Sequence, residues 1–212
     1  MCPQRPLIGV AVAAALGALS GTSQAALTAF NSAASFAAAT FGPATDTFTL
    51  LPLDIVPSPS TRTAGPYSYV ASAPGGLFGV GTAANPALST NLTGATLTLS
   101  SFGANVGAIG GSFFGSDITG AFVGGQNLTL MAADSFGATL TQTITGASAS
   151  SFLGFASTGT LVSLTIAIAN NSAFASVDNL VLAQAIPEPE TYAMLLAGLA
   201  AVGAVARRRR SS

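Results

Sequence analysis

The middle of the chain offers little catalytic chemistry. The sequence contains no histidine, and all six of its basic residues are arginines. These absences exclude a Ser-His-Asp triad, a histidine general base and a lysine Schiff base. The one cysteine, Cys2, stands at the start of the chain, so thiol catalysis or a zinc site further along is excluded as well. We therefore expect a protein that is not an enzyme.

Carboxylates are the remaining reactive groups, and every acidic residue before position 188 is an aspartate: Asp46, Asp54, Asp117, Asp134 and Asp178. A carboxylate pair can hydrolyse glycosidic bonds, but these five residues are scattered. Calcium fits them better, because it takes only oxygen ligands. We predict a structural calcium site at Asp117, Asp178 and Asn179, with Asp134 as a further candidate ligand. The alternative is that Asp117 and Asp134 cap turns and that Asp178 hydrogen-bonds a neighbouring loop.

Aromatic side chains suggest one candidate ligand site. A sugar site usually combines a flat aromatic ring with polar groups, and the chain has no tryptophan. Tyr67 and Tyr69 are the only tyrosines apart from Tyr192. They are the predicted ligand residues, with a place in the core or at its rim as the alternative.

Charge is sparse over residues 26–186. Arg62 is the only basic residue against five aspartates, so the net charge there is 1 − 5 = −4, while the whole chain has −1. Nucleic-acid binding needs a basic surface and is excluded. Neutral strands rich in threonine and serine pair readily at their edges, which makes self-association of the protein a hypothesis.

Residues 1–25 have the pattern of a signal peptide. Arg5 is followed by an apolar run, Leu7–Leu19, and then by Ser23-Gln24-Ala25, with small residues where signal peptidase cuts. We predict cleavage after Ala25, with Ala26 as the alternative site. Cleavage would remove Cys2, so the mature protein would have no disulfide. The other interpretation is a retained N-terminal anchor.

Residues 187–212 form a second targeting segment in three parts. The first, 187–192, begins Pro187-Glu188-Pro189-Glu190, and its prolines favour an extended backbone. The second, 193–206, is apolar and predicts a transmembrane helix of about 21 Å, shorter than the ~30 Å hydrocarbon core. The third is the membrane stop, Arg207, Arg208, Arg209 and Arg210. A span this short suits temporary retention.

This order of motif, apolar helix and arginines resembles the PEP-CTERM sorting signal of Gram-negative bacteria. The run from Ile186 to Leu199 matches the pattern of that family almost residue by residue. The resemblance implies processing by a membrane-embedded exosortase, transient anchoring in the inner membrane, and delivery to the cell surface or extracellular matrix. It also implies an association with exopolysaccharide and biofilm. An ordinary single-pass tail anchor is the alternative.

Between the two targeting segments, residues 26–186 predict one domain. A helix is expected at Thr28–Thr40, with Thr28 as its cap, followed by a strand at Asp46–Leu51 and a loop from Pro52 to Gly65. From Gly94 onward, alternation of apolar and hydroxyl residues predicts about eight short strands. Such spacing indicates a mainly β fold, an antiparallel β-sandwich of jelly-roll type with one short N-terminal helix.

The run Val177-Asp178-Asn179-Leu180 resembles the strand that closes many carbohydrate-binding jelly rolls. Two functions follow from the sequence. The first is an exported structural or adhesive protein of the cell surface or matrix, processed by signal peptidase and then by an exosortase. The alternative is a carbohydrate-binding module stabilised by calcium.

Overall fold

The computed structural model describes residues 26–103, 105–186, 195–203 and 207. The predicted signal peptide, the motif at 187–192 and Arg208–Arg210 lie outside these residues. The strands are β1 (Leu27–Phe30), β2 (Thr40–Asp46), β3 (Ile55–Val56), β4 (Ser60–Ala64), β5 (Tyr67–Ser72), β6 (Leu77–Thr82), β7 (Asn85–Thr90), β8 (Leu97–Ser100), β9 (Ala108–Ser116), β10 (Phe122–Val123), β11 (Gln126–Asp134), β12 (Thr139–Ala147), β13 (Phe152–Ser157), β14 (Leu161–Ile168) and β15 (Phe174–Ala185). Helix α1 spans Ala33–Ala38, and a 3-10 turn spans Ala169–Asn171.

The strands form two antiparallel sheets. The nine-stranded sheet has the order β1-β13-β9-β15-β7-β6-β3, with β10 paired to β9 and β2 paired to β15. The six-stranded sheet has the order β12-β11-β14-β8-β5-β4. The prediction of a mainly β, antiparallel sandwich is confirmed.

The order in which the chain crosses between the two sheets defines the topology of the sandwich. Strands β7, β9, β13 and β15 lie together in the larger sheet in the order β7-β15-β9-β13, and β8, β11, β12 and β14 lie in the smaller one in the order β8-β14-β11-β12. This winding is that of a jelly roll, which interlocks two Greek keys. It places β15, the last strand, in the middle of the larger sheet.

The core lies between the inner faces of the sheets. Alternation along each strand sends every second side chain inward, and fully buried leucines, isoleucines and phenylalanines meet there. The smaller sheet contributes Leu97, Leu99, Leu128, Leu130, Leu164 and Ile166, and the larger one contributes Ile109, Phe113, Phe155, Val177 and Leu182. Each such side chain contributes about 1.5–3 kcal/mol by leaving water, so this alternation stabilises the sandwich.

The predicted helix at Thr28–Thr40 is wrong in extent. Residues Leu27–Phe30 form β1, and the helix is only Ala33–Ala38. Its cap is Ser32, whose hydroxyl accepts the Ser35 N–H at 3.2 Å. The helical periodicity of the sequence predicted too long a helix because most of the residues that fit it are alanines. Phe30 does contact Phe36, with ring centroids 5.9 Å apart, but it does so across the bend at residues 31–32 and not along one helix.

The predicted strand at Asp46–Leu51 is also wrong. Strand β2 ends at Asp46, whose carboxylate accepts the Phe48 N–H at 2.8 Å. This local bond competes with a strand ladder and holds Phe48 in the left-handed region, at φ 55°. The predicted loop 52–65 contains two strands, β3 and β4. Both are short and lie at sheet edges, where flanking prolines are tolerated.

Residues 195–203, within the predicted transmembrane segment, are helical. Among the residues that the structure describes, no helix has the length and apolar character needed to cross a membrane.

Candidate functional site

Strand β15 leads directly into the segment with the predicted sorting motif. Its second half lies between β9 and β2, with Ala185 opposite Thr40. The Ile186 N–H then donates to the Ala39 carbonyl oxygen at 3.0 Å. The sandwich therefore holds the backbone up to Ile186, one residue before Pro187. Removal of the following segment would leave every strand of both sheets in place.

The run Val177–Leu180 forms a β-bulge in the middle of β15. Asp178 lies opposite Ser112 of β9, whereas Val181 already lies opposite Gly110, so the register shifts between them. Asn179 has φ 49°, a left-handed conformation that asparagine tolerates better than most residues. Here β15 changes its second neighbour from β7 to β2. The sequence motif therefore marks a change of strand partners.

The carboxylate of Asp178 is held within this bulge. It is 7% exposed and accepts the Asn179 N–H at 2.7 Å and the Asn179 amide at 3.0 Å. The Asn85 amide approaches it at 3.4 Å. Burial raises the pKa of Asp178, while the hydrogen bonds from Asn179 and Asn85 oppose that rise.

We expect Asp178→Asn to change the pH dependence of stability. Because the folded pKa of Asp178 lies above its unfolded value, the folded state retains a proton that the unfolded state releases. As the pH rises, the free energy of unfolding of the wild type should therefore fall relative to that of the variant. The fall should begin at about pH 4, the ordinary aspartate pKa, and end above the raised pKa of the folded state. Urea titrations at several pH values would measure this slope. Asp54→Asn, at an exposed position, is the control, and equal slopes in the wild type and Asp178→Asn would contradict the expectation.

Asp117 and Asp134 each cap a turn between two strands. Asp117 accepts the N–H groups of Thr119 and Ala121 and the Thr119 hydroxyl, at 2.7–3.0 Å. These bonds lower the pKa of Asp117, and the bond from the Thr119 hydroxyl has the largest effect. Asp134 accepts two turn N–H groups in the same way, and also the Ser157 hydroxyl at 2.8 Å. Both carboxylates therefore stabilise turns, as the alternative interpretation expected.

The structure does not bring the three predicted calcium ligands together. Asp178 lies opposite Ser112 of β9. Asp117 comes five residues after Ser112 in the chain, and at the rise per residue of a strand this places Asp117 about 16 Å from Ser112. Among the described residues, no group of three His, Cys, Asp or Glu side chains could hold a metal ion. The prediction of one site formed by Asp117, Asp178 and Asn179 is therefore wrong.

The two predicted ligand tyrosines lie inside the sandwich. Tyr67 is 5% exposed and Tyr69 is fully buried. The Tyr67 hydroxyl donates to the Gly42 carbonyl oxygen at 2.8 Å, and the Tyr69 hydroxyl donates to Asp46 at 2.7 Å. The prediction that they bind a sugar is wrong, because neither ring presents a face to solvent.

Tyr69 belongs to a buried network that the sequence did not reveal. Arg62 donates to the Asp46 carboxylate through Nε at 2.7 Å and through Nη2 at 2.8 Å, and its guanidinium lies 4.8 Å from the centre of the Phe48 ring. Burial disfavours the charged guanidinium, but the bonds and charge of Asp46 raise the pKa of Arg62 overall. Burial and the Asp46 charge also raise the pKa of Tyr69. The only indication of this network in the sequence was that Arg62 is the one basic residue between positions 26 and 186.

One groove of the described surface, the groove along β12, lies between residues 142–144 of β12 and residues 31–33 and 148–153. Its volume is 630 Å³. Its lining is uncharged and mostly hydroxyl or amide: Asn31, Ser32, Ala33, Gln142, Thr143, Ile144, Ser148, Ser150, Ser151, Phe152 and Leu153. Such a surface can hydrogen-bond neutral polar partners and offers no group for acid or base catalysis.

Comparison with known proteins identifies the C-terminal segment. A family model described as the PEP-CTERM protein-sorting motif matches residues 185–210. No curated protein matches the chain. Among solved structures, the chain is similar to a family 6 carbohydrate-binding module whose binding sub-sites were dissected by crystallography and calorimetry. The identity is 14%, the match covers 63% of this chain and 99% of that one, and the TM-score is 0.33. The match at residues 185–210 makes the chain a protein with a PEP-CTERM sorting motif.

Proposed function

We propose that the protein is an exported, non-enzymatic component of the cell surface or extracellular matrix. An exosortase processes it near Pro187–Glu190, and the β-sandwich is the delivered product. Its role is structural or adhesive within exopolysaccharide or biofilm. The observation that supports this most strongly is the sorting motif at residues 185–210, directly after the last strand of a complete sandwich.

The junction between sandwich and motif supports processing without unfolding. Ile186 makes the last backbone bond that the structure describes for the domain, to Ala39. The product would therefore retain all strands of both sheets. Chain segments next to a folded domain's terminus are frequent sites of proteolysis.

The residue inventory supports a role without catalysis. Between positions 26 and 186, the chain has five aspartates, one arginine and neither histidine nor lysine. Asp46 and Arg62 pair with each other, and Asp117 and Asp134 accept bonds from their own turns. The remaining polar surface is mostly hydroxyl and amide, which suits contacts with a hydrated neutral polymer.

The decisive experiment is intact-mass analysis of the native protein after cell fractionation, with and without the host's exosortase. We expect a species that starts near Ala26 and ends near Pro187–Glu190, outside the membrane, only when the exosortase is present. A membrane-bound species that retains Arg207–Arg210 in both strains would overturn the proposal, because the tail would then be a plain anchor.

A carbohydrate-binding module is the second candidate, and the groove along β12 favours it. Its neutral lining and the half-buried Phe152 ring could bind a sugar chain of the same matrix. Electrophoresis in native gels that contain the host's polysaccharide separates the two functions. A binding module should be retarded in proportion to the polymer concentration, whereas a purely structural protein should migrate as it does in an empty gel.

A further inference from the structure

We propose that two copies of the protein associate through the edge of β12, so that their six-stranded sheets join into one continuous sheet. The biological meaning of this contact rests on the proposed matrix role. The contact itself is a property of the folded protein, so its test is separate from the test of exosortase processing.

β12 is the longest edge strand among the described residues. It spans nine residues and pairs only with β11. The opposite edge of the same sheet, β4, has five residues and contains Arg62. In the larger sheet, the edges β1 and β3 have four and two residues, and β2 contains Pro43. Short strands, charge and proline protect edges from pairing, and β12 has none of these features.

The backbone of β12 has donors and acceptors aimed outward. In the turn before it, the Asp134 N–H donates to the Ala138 carbonyl oxygen at 3.0 Å. Asp134 and Ala138 are therefore a hydrogen-bonded pair. Because bonded and non-bonded pairs alternate along antiparallel strands, the residues of β12 that bond to β11 are Leu140, Gln142 and Ile144. The backbone groups of Thr139, Thr141 and Thr143 then point away from β11. The groove along β12 leaves space between residues 142–144 and residues 31–33 on its other side.

The strand is complementary to itself under a two-fold axis. If the axis passes at Gln142, Thr141 of one copy lies opposite Thr143 of the other, and Leu140 lies opposite Ile144. The two Thr141–Thr143 pairs would exchange about four backbone hydrogen bonds. Cross-strand Thr–Thr pairs and apolar pairs are favourable. The bulge of β12 lies beyond Ile144, so the stretch that pairs is regular.

Electrostatic repulsion does not oppose this contact. Of the six charged side chains between residues 26 and 186, Asp46 and Arg62 neutralise each other, and Asp134 and Asp178 are buried. Asp54 and Asp117 remain nearer the surface, and neither lies on β12. Two copies can therefore approach edge to edge without placing like charges opposite each other.

The first test is sedimentation equilibrium over a wide concentration range, on protein isolated from its host in the form that the cell accumulates. Wild-type protein should show a reversible monomer–dimer equilibrium. The double variant Thr141→Lys/Thr143→Lys places lysines opposite lysines, and the dissociation constant should rise about tenfold or more, the equivalent of 1.4 kcal/mol. The matched control is Thr61→Lys/Thr63→Lys, on the same sheet face at the β4 edge, which should dimerise like the wild type.

A charge-swap experiment separates loss of pairing from loss of folding. Thr141→Glu/Thr143→Glu should also be monomeric alone. A mixture of the lysine and glutamate variants should associate again, because residue 141 of one copy faces residue 143 of the other. Rescue in the mixture would show that both variants are folded and that β12 is the contact.

A cysteine at the two-fold axis tests the register. In a Cys2→Ser background, Gln142→Cys places two cysteines in a non-bonded pair, with Cα atoms about 4.5 Å apart, within disulfide range. Mild oxidation should give a covalent dimer, and Thr63→Cys should not. A wild-type protein that stays monomeric at all concentrations, or dimers unaffected by the β12 lysines, would overturn the proposal. So would a monomer that instead binds polysaccharide along β12.

Discussion

Asp46→Ala should destabilise the sandwich by about 3–5 kcal/mol, the usual cost of removing one partner of a buried ion pair. The Asp46 carboxylate accepts bonds from Arg62, from the Tyr69 hydroxyl and from the Phe48 N–H. The substitution would leave a mostly buried guanidinium and a fully buried hydroxyl without their acceptor. Urea unfolding followed by circular dichroism would measure the change.

Two further variants show whether the effect comes from the network. Tyr69→Phe removes one hydrogen bond and should cost only about 1–2 kcal/mol. Asp54→Ala is the matched control, because Asp54 is exposed and its carboxylate accepts the neighbouring Ile55 N–H; its effect should stay within about 0.5 kcal/mol. A loss below 1 kcal/mol for Asp46→Ala would mean that the network does not stabilise the fold.

Substitution of the sorting prolines should abolish processing. In Pro187→Ala/Pro189→Ala, the segment after Ile186 loses its bias toward extended backbone and gains two N–H donors. If an exosortase reads this segment, the cell should accumulate the longer species that retains Arg207–Arg210. Intact-mass spectrometry of membrane and extracellular fractions would measure the ratio of the two species.

The matched control is Pro74→Ala, which changes an exposed turn proline within the sandwich. It should be processed like the wild type, because it lies far from the motif in sequence. Normal processing of Pro187→Ala/Pro189→Ala would show that the motif is not what the cell reads. The family match would then describe a likeness without the corresponding reaction.

Sequence patterns were informative where one physical signal dominated. From β8 onward, hydroxyl and apolar residues alternate with the period of a strand, and the predicted strands correspond to β8–β15. The pattern failed over residues 28–65, where local interactions compete with periodicity. There, the Ser32 cap begins the helix late, and the Asp46 carboxylate bonds the Phe48 N–H and ends a strand. Neither bond is visible in a hydrophobic pattern.

The sequence by itself determined the sorting motif, the scarcity of charge and the β class of the fold. These depend on residue types and short spacings, which need no tertiary contacts. Only the tertiary structure decided that Tyr67 and Tyr69 are core residues, that Asp46 and Arg62 meet across sixteen positions, and that β12 lies at a sheet edge. Each of these depends on which strands become neighbours, and strand order arises from the packing of the whole chain.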